Sequence, residues 1–338
     1  MSTEGTPRLV GYLSQSSALF YDERNANEGP TRLRDLAEAD VNLVRFDNAT
    51  GEGIIGFDPW RTSGPEYEAD HNLWYAALTV SGKRIFQYGC PCGTCGITFK
   101  KVASSANRVS DAEAADLLGA LDHVPSQFAL RRLARILPKG TYHLAVIETP
   151  VRLVTPGARD DYFATDVVRL FGLEPPEYEK PQDPGTPYYR LGSDHELAVP
   201  HPGGEIPVIR YSYPAGTTKT LLTQIVMPLQ DPATLERDRV ECWKAKSRAG
   251  YPLTAFAVSV LDNQSPADRK GDKDYPYEGQ MLLTHCLLDG HHRVQAASET
   301  DSPVRILTLL APFASNVGSD FDFAMVLERL AAQVPALN

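Results

Sequence analysis

The last third of the sequence alternates between strand and helix patterns, and the order of these patterns constrains the fold more than any other feature. Apolar runs bounded by proline, glycine or aspartate indicate strands, and segments that open with a capping residue indicate helices. The predicted order is strand, helix, strand, strand, helix, strand, which is typical of a small α/β unit. The segments are residues 221–227, 231–248, 252–261, 281–288, 290–299 and 304–310.

The preceding region, from about residue 8 to residue 173, mixes both patterns. Ser110 and Glu113 have the spacing of a capping box, and Pro125 is suited to the first position of a second helix. Apolar and aromatic runs on either side of Ser81-Gly82-Lys83 indicate a pair of strands joined by a turn. The predicted strands are residues 72–80, 84–88 and 142–149, and the predicted helices are residues 110–121, 125–137 and 165–171, with a further helix at 321–334.

Proline divides the chain. Residues 173–187 contain five prolines. Because proline fixes φ and removes a backbone donor, this stretch is predicted to be an extended connector. The predicted organisation is a mixed α+β domain at residues 1–175, a Pro/Gly-rich connector at 176–205 and a small α/β domain at 206–338. The fold class predicted for the whole chain is α+β.

Charge and composition narrow the classes of partner. The formal net charge of −10 argues against nucleic acid as the main partner, because nucleic-acid-binding proteins usually carry a basic face. It does not oppose small anions, since a helix N-terminus and one or two arginines can bind them. No apolar run approaches the roughly 18 residues of a membrane-spanning helix, and no secretory signal is recognised.

The number and spacing of the cysteines indicate the redox state of the cellular compartment. The chain has five cysteines, and the crowding of three of them at Cys90, Cys92 and Cys95 does not indicate a disulfide framework. A reducing cytoplasm is therefore predicted. The oligomeric state stays open.

The strongest candidate site is Asp289-Gly290-His291-His292-Arg293, where a predicted strand passes into a predicted helix. The first N–H groups of a helix lack intrahelical partners and carry the positive end of the helix dipole. Gly290 lets an anion approach the backbone, Arg293 can hold phosphate oxygens bidentately, and the two histidines add donors. The residues predict a phosphate-binding site; the alternative is an ordinary helix capped by Asp289.

This pentapeptide, followed by Val-Gln-Ala-Ala, resembles the signature of the ParB/sulfiredoxin-like superfamily, especially the form found in its free serine kinases. Residues 225–231 and 250–258 are similar to upstream segments of the same family. The resemblance covers about residues 216–312 and implies a ParB/sulfiredoxin-like C-terminal domain that binds a nucleotide. Sulfiredoxins carry a reactive cysteine in the signature where this chain has histidine, which argues against their repair reaction.

The resemblance to the kinases implies phosphoryl transfer from ATP or ADP with Mg²⁺, a reaction that needs positioned charge and a carboxylate to accept the hydroxyl proton. Asp289 is the first candidate for base or metal contact, and Glu236 or Glu241 is a candidate for a second acidic residue. Lys244 lies on the same predicted helix as these glutamates and could reach a phosphate. The alternative for these three helix residues is a solvated helix face.

A second candidate site is the cysteine cluster of Cys90, Cys92 and Cys95. The spacing of Cys92 and Cys95 is that of zinc knuckles, and a structural Zn²⁺ site would need a fourth ligand, for which His71, His123 and His143 are candidates. A redox pair of Cys92 and Cys95, or a tight turn with unligated thiols, remains as the alternative.

The predicted function is a nucleotide-dependent kinase that acts on a small hydroxyl-bearing metabolite such as serine. One alternative is a nucleotide-responsive regulatory protein without turnover. Another is a ParB-like protein associated with nucleic acid, which the net charge disfavours. No membrane partner is expected.

Overall fold

The computed structural model describes the larger part of the last two thirds of the chain and separate strands of the first third. The helices predicted at 110–121, 125–137 and 321–334 lie wholly or almost wholly outside the described residues. Those residues are 8–11, 44–48, 54–60, 74–90, 98–103, 136–171, 184–201, 204–206, 211–213, 216–264 and 273–315, with 317, 323, 326 and 329.

The first third contributes two groups of strands. Strands β1 (Arg8–Gly11) and β2 (Val44–Asn48) pair antiparallel. A separate antiparallel sheet has the order β3-β4-β5-β6. Its strands are β3 (Ile55–Trp60), β4 (Trp74–Val80), β5 (Lys83–Cys90) and β6 (Thr98–Lys101).

The turn between β4 and β5 is formed by Ser81 and Gly82, whose φ angles are 49° and 75°. Two successive positive φ angles are typical of the type I′ turn, whose twist matches that of paired strands. The hairpin predicted from residues 72–88 is therefore confirmed.

Six strands of the remaining chain close into a barrel. Its order is β7-β15-β13-β14-β12-β8, and β8 pairs back onto β7. The pairs β12–β14 and β13–β15 are parallel, and the other four are antiparallel. The strands are β7 (Gly140–Val154), β8 (Tyr188–Leu191), β12 (Gly216–Pro228), β13 (Leu253–Gln264), β14 (Gly279–Asp289) and β15 (Pro303–Leu310).

Further strands attach to this barrel or lie beside it. Strand β2 pairs with β7, and strand β9 (His195–His201) pairs with β12. Strands β10 (Gly204–Ile206) and β11 (Tyr211–Tyr213) form a small antiparallel pair of their own.

The predicted fold class, α+β with a ParB/sulfiredoxin-like α/β domain, is wrong, because the structure is mostly β and its principal element is the closed barrel. The strand segments of the last third were recognised, but their partners were not. Pro303 at the start of β15 pairs with Pro150 in β7, far away in the sequence. A local pattern shows that a segment is a strand and does not show which strand lies beside it.

The barrel takes strands from all three predicted segments of the chain. Strand β7 comes from residues 1–175, strand β8 from 176–205, and the other four strands from 206–338. Residues 176–205, predicted to be a connector, contain both β8 and β9.

Three α-helices occur in the described residues: α1 (Asp166–Phe171), α2 (Arg237–Arg248) and α3 (His291–Thr300). The helix predicted to start at Asp231 begins later. Asp231 accepts a hydrogen bond from the main-chain N–H of Ala233 at 2.9 Å and so caps a short 3-10 turn, after which α2 starts beyond Glu236.

Hydrophobic cores cover both faces of the barrel wall, because successive strand residues point to opposite faces. In β14, Leu282, Cys286 and Leu288 belong to a core that also includes residues of the β3–β6 sheet. Leu283 and Leu287 belong to a second core, which includes residues of α2 and α3. In the part of the chain that is described, no helix has the length and apolar character needed to cross a bilayer.

Candidate functional site

The predicted phosphate site lies where β14 passes into α3, and residues 289–293 are called the α3 junction below. Gly290 is the N-cap of α3 and has a left-handed φ of 93°. A Cβ atom at this position would lie 2.9 Å from the Cα and Cβ atoms of Ala255 and from the carbonyl oxygen of Thr254. The start of α3 therefore packs directly against β13, and only glycine fits there.

Arg293, on the first turn of α3, is held by two neighbours. Its Nη2 atom donates a hydrogen bond to the carboxylate of Asp289, and each side chain is 15% exposed. Its guanidinium also lies over the ring of Trp243 in α2, 5.2 Å from the ring centroid. Among the described residues, its Nε atom has no hydrogen-bond partner. Asp289 and Trp243 thus orient the arginine at the junction, and its Nε atom is buried.

Both histidines of the junction are buried, with 6% exposure each. The Nε2 atom of His291 accepts a hydrogen bond from the main-chain N–H of Gln230 at 3.3 Å. The donors predicted from these two imidazoles are therefore turned into the protein. The main-chain N–H groups of the first turn point along the helix axis toward the junction, and that of Arg293 already donates to the carbonyl oxygen of Gly290 at 2.9 Å.

The remaining predicted site residues belong to an ion-pair network on α2. Glu236 lies 3.8 Å from Arg239, and Glu241 accepts hydrogen bonds from Arg237 at 2.5 Å and Lys244 at 2.9 Å. Lys244 also donates to Glu299 of α3 at 2.9 Å. The structure thus brings Asp289 and Arg293 together and places Glu236, Glu241 and Lys244 in contacts of their own.

The charged side chains of this network neutralise one another. Hydrogen bonds from Arg237, Gln295 and Lys244 lower the pKa of Glu299 to about 2, against the effect of its partial burial. Hydrogen bonds from Lys244 and Arg237 also lower the pKa of Glu241. Mutual neutralisation of this kind fits the alternative of a solvated helix face for the exposed side chains of Glu236 and Glu241, whereas the side chain of Lys244 is only 13% exposed.

One residue beside the α3 junction and one at the end of β12 were not predicted from the sequence. Trp243 lies beneath Arg293, and the amine of Lys246 lies 4.2 Å from the centroid of the same ring. Lys101 reaches the end of β12 from the β3–β6 sheet. Trp243 could have been suspected from its place on the predicted helix, but nothing in the sequence around Lys101 indicates this contact.

The cysteine cluster falls largely outside the described residues. Cys90 is the last residue of β5, opposite Trp74, and Cys92 and Cys95 lie outside the described residues. The Zn²⁺ site and its alternatives stay predictions. Within the described ranges, no group of three or more histidine, cysteine, aspartate or glutamate side chains could hold a metal ion.

A buried polar cluster joins four strands of the barrel. The Nδ1 atom of His285 in β14 lies 2.6 Å from the Oγ atom of Ser259 in β13 and 3.2 Å from the Oγ1 atom of Thr308 in β15. Its Nε2 atom lies 3.3 Å from Gln224 in β12. Burial lowers the pKa of His285 to about 3. Because all four side chains are buried, this serine and histidine pair serves the packing of the wall.

Comparison of the chain with protein-family models, with curated proteins and with solved structures finds no match. The resemblance of residues 289–293 to the ParB/sulfiredoxin-like signature therefore stays a prediction, and the function has to be argued from the geometry of the site.

Proposed function

We propose that this protein binds a nucleotide, ATP or ADP, through its phosphates at the α3 junction and transfers a phosphoryl group to a small hydroxyl-bearing metabolite such as serine. The observation that carries the proposal is a helix N-terminus with an oriented arginine on its first turn. This combination offers main-chain donors and a guanidinium to one anion.

Arg293 and Asp289 have distinct roles in this proposal. A bound phosphate competes with the Asp289 carboxylate for the guanidinium of Arg293, since both are oxyanions that arginine binds bidentately. The released carboxylate accepts the proton of the substrate hydroxyl while that oxygen attacks the terminal phosphorus and the bond to the leaving phosphate breaks. Alternatively, Asp289 would contribute an oxygen ligand to Mg²⁺, which would neutralise charge on the phosphates.

A second candidate is a regulatory protein that binds a nucleotide without turnover. The observation favouring it is that Glu236 and Glu241, expected to support catalysis, form ion pairs with Arg239, Arg237 and Lys244 on α2. Asp289 is then the only one of the three predicted acidic residues at the junction. In this alternative, exchange of the Asp289–Arg293 pair for a phosphate–Arg293 pair is itself the signal.

Calorimetric titration with ATP, ADP and CTP, each with and without Mg²⁺, tests the proposal. Arg293→Ala is expected to weaken binding of the nucleotide roughly 10- to 100-fold, because hydrogen bonds to charged groups contribute about 1.5–3 kcal/mol. Arg239→Ala, which removes an exposed arginine of α2, is the matched control and is expected to bind as the wild type does. Binding of none of the three nucleotides by the wild type would refute the proposal.

Asp289→Asn separates the enzyme from the regulator. With a kinase, the variant retains nucleotide binding and loses phosphoryl transfer to serine and related hydroxyl compounds, measured as ADP or AMP release. If the wild type binds nucleotide but releases no product with any acceptor tested, the regulatory alternative is favoured.

A further inference from the structure

Two aspartates share one arginine beside strand β8. The Nη2 atom of Arg190 donates to the carboxylate of Asp166, at 3.3 Å, and to that of Asp194. Its Nη1 atom donates to the main-chain oxygen of Asp160 at 3.2 Å. The side chains of Arg190, Asp166 and Asp194 are 13%, 19% and 20% exposed. Two carboxylates thus contact a single guanidinium in a cluster that is mostly buried and still open to solvent on one side.

The carboxylates of this cluster are not fully compensated. Burial raises the pKa of Asp166, an effect that Arg190 opposes and the like charge of Asp194 reinforces. Arg169, one turn further along α1, also opposes this shift, but its guanidinium lies over the ring of Tyr275, 4.9 Å from the ring centroid. The Oδ1 atom of Asp194 is buried and has no hydrogen-bond partner among the described residues. A buried acceptor without a donor costs free energy, which a donor from a ligand or a water molecule removes.

Strand β12 contributes a threonine to the same side of the barrel wall. Ile225 of β12 pairs with Arg190 of β8, and residues paired across antiparallel strands point to the same face. Thr223 lies two residues before Ile225 and shares its face. Thr223 is therefore a diagonal neighbour of Arg190. The Cβ atoms of such neighbours are roughly 7–8 Å apart, which is within the reach of a long side chain.

Thr223 also lies next to Asp194. Leu222 of β12 pairs with His195 of β9, and Thr223 and Asp194 are the next residues of these two segments. Thr223 is wholly buried, and within the described part of the chain its Oγ1 atom has no hydrogen-bond partner. One hydroxyl oxygen and one carboxylate oxygen thus lack partners on neighbouring residues. Because buried polar atoms normally have partners, this pair indicates a bound group that donates hydrogen bonds.

We propose that Asp166, Asp194 and Thr223 form a binding site for the ammonium group of a small primary amine. An ammonium group has three donors, no acceptor and one positive charge. These properties match the two unpartnered oxygens and the second carboxylate, while Arg190 keeps the two carboxylates close together. The site shares no residue with the α3 junction and does not depend on the proposed function.

Thermal unfolding of the full chain in methylammonium chloride tests the site. The Tm of the wild type is expected to rise with methylammonium concentration and to reach a saturable dependence, because a ligand that binds the folded state stabilises it. Tetramethylammonium chloride carries the same charge without an N–H donor, so at equal ionic strength it is expected to give no saturable rise.

Thr223→Val removes the hydroxyl and nearly preserves the volume of the side chain. The Tm of this variant without ligand is expected to equal or exceed that of the wild type, because a buried polar atom without a partner is removed. Its affinity for methylammonium is expected to be about tenfold lower. Asp194→Asn, which removes the charge, is expected to weaken binding by at least as much.

Thr220→Val is the matched control, because Thr220 is a buried threonine on the opposite face of β12. It is expected to bind methylammonium as the wild type does. Unchanged affinity in Thr223→Val, or an equal loss in Thr220→Val, overturns the proposed site, and this comparison stands even if Asp194→Asn does not fold. Absence of a saturable rise in the wild type, or an equal rise with tetramethylammonium, also overturns it and assigns both oxygens to a buried water molecule.

Discussion

Substitution of Gly290 by alanine tests how closely α3 approaches β13. The alanine side chain meets two penalties at this position. A left-handed φ of 93° costs an L-residue about 1–2 kcal/mol. The added Cβ atom lies 2.9 Å from two atoms of Ala255 and one of Thr254, and overpacking of this kind costs about 1–3 kcal/mol. The lower entropy of the unfolded chain offsets about 0.4–1 kcal/mol of this sum, so the expected loss in the free energy of unfolding is about 1–4 kcal/mol, a large share of the roughly 5–15 kcal/mol of a typical domain.

Gly250→Ala is the matched control for this experiment. Gly250 follows α2 with a similar φ of 82°, and no atom lies within 4 Å of the position of its Cβ. This variant carries the backbone strain alone, reduced by the lower entropy of the unfolded chain, and is expected to lose about 1 kcal/mol or less. Urea unfolding followed by circular dichroism measures both variants. Equal losses for Gly290→Ala and Gly250→Ala would show that α3 does not pack against β13 as described.

Two further predictions concern buried polar contacts. Burial lowers the pKa of His285 to about 3 from its ordinary value of 6.5, so the stability that its neutral form contributes is complete above pH 6.5 and is lost as the pH falls toward 3. The free energy of unfolding, measured between pH 4 and 7, should therefore fall with decreasing pH, and His285→Asn should make this dependence weaker. An unchanged pH dependence in the variant would contradict the burial of a neutral His285. The hydroxyl of Tyr189 donates a hydrogen bond to the side-chain oxygen of Gln295 at 2.6 Å. Tyr189→Phe leaves this buried acceptor without its donor and should lower the free energy of unfolding, measured in urea, by about 1–3 kcal/mol. A loss of less than about 0.5 kcal/mol would refute this expectation.

Local patterns predicted the strands of the last third well, because the apolar residues that indicate a strand lie within that strand. Residues 281–288 and 304–310 correspond to β14 and β15 of the structure. The closure of the barrel could not be predicted in the same way. It depends on β7 pairing with β15 and on β8 pairing with both β7 and β12, and these partners are distant in the sequence. A ring of strands and an open α/β sheet share the same local signals.

In the candidate site too, features set by neighbouring residues were predicted, and features set by contacts distant in the sequence were not. The passage from β14 into α3 was predicted within one residue, although Gly290 and not Asp289 is the N-cap. Asp289 stays in β14 and pairs with Arg293. The approach of Trp243 to Arg293 depends on how α2 packs against α3. Helix packing of this kind is set by the barrel beneath both helices, so the sequence of either helix alone does not indicate it.

Hydrogen–deuterium exchange of the full chain with and without ATP and Mg²⁺ tests the location of the phosphate site most directly. Binding at the α3 junction predicts slower exchange of the amides in peptides that cover residues 290–293, and no change in peptides from the first two turns of α2, residues 236–242. Unchanged exchange at 290–293 under saturating ATP, or protection confined to another part of the chain, would contradict the account.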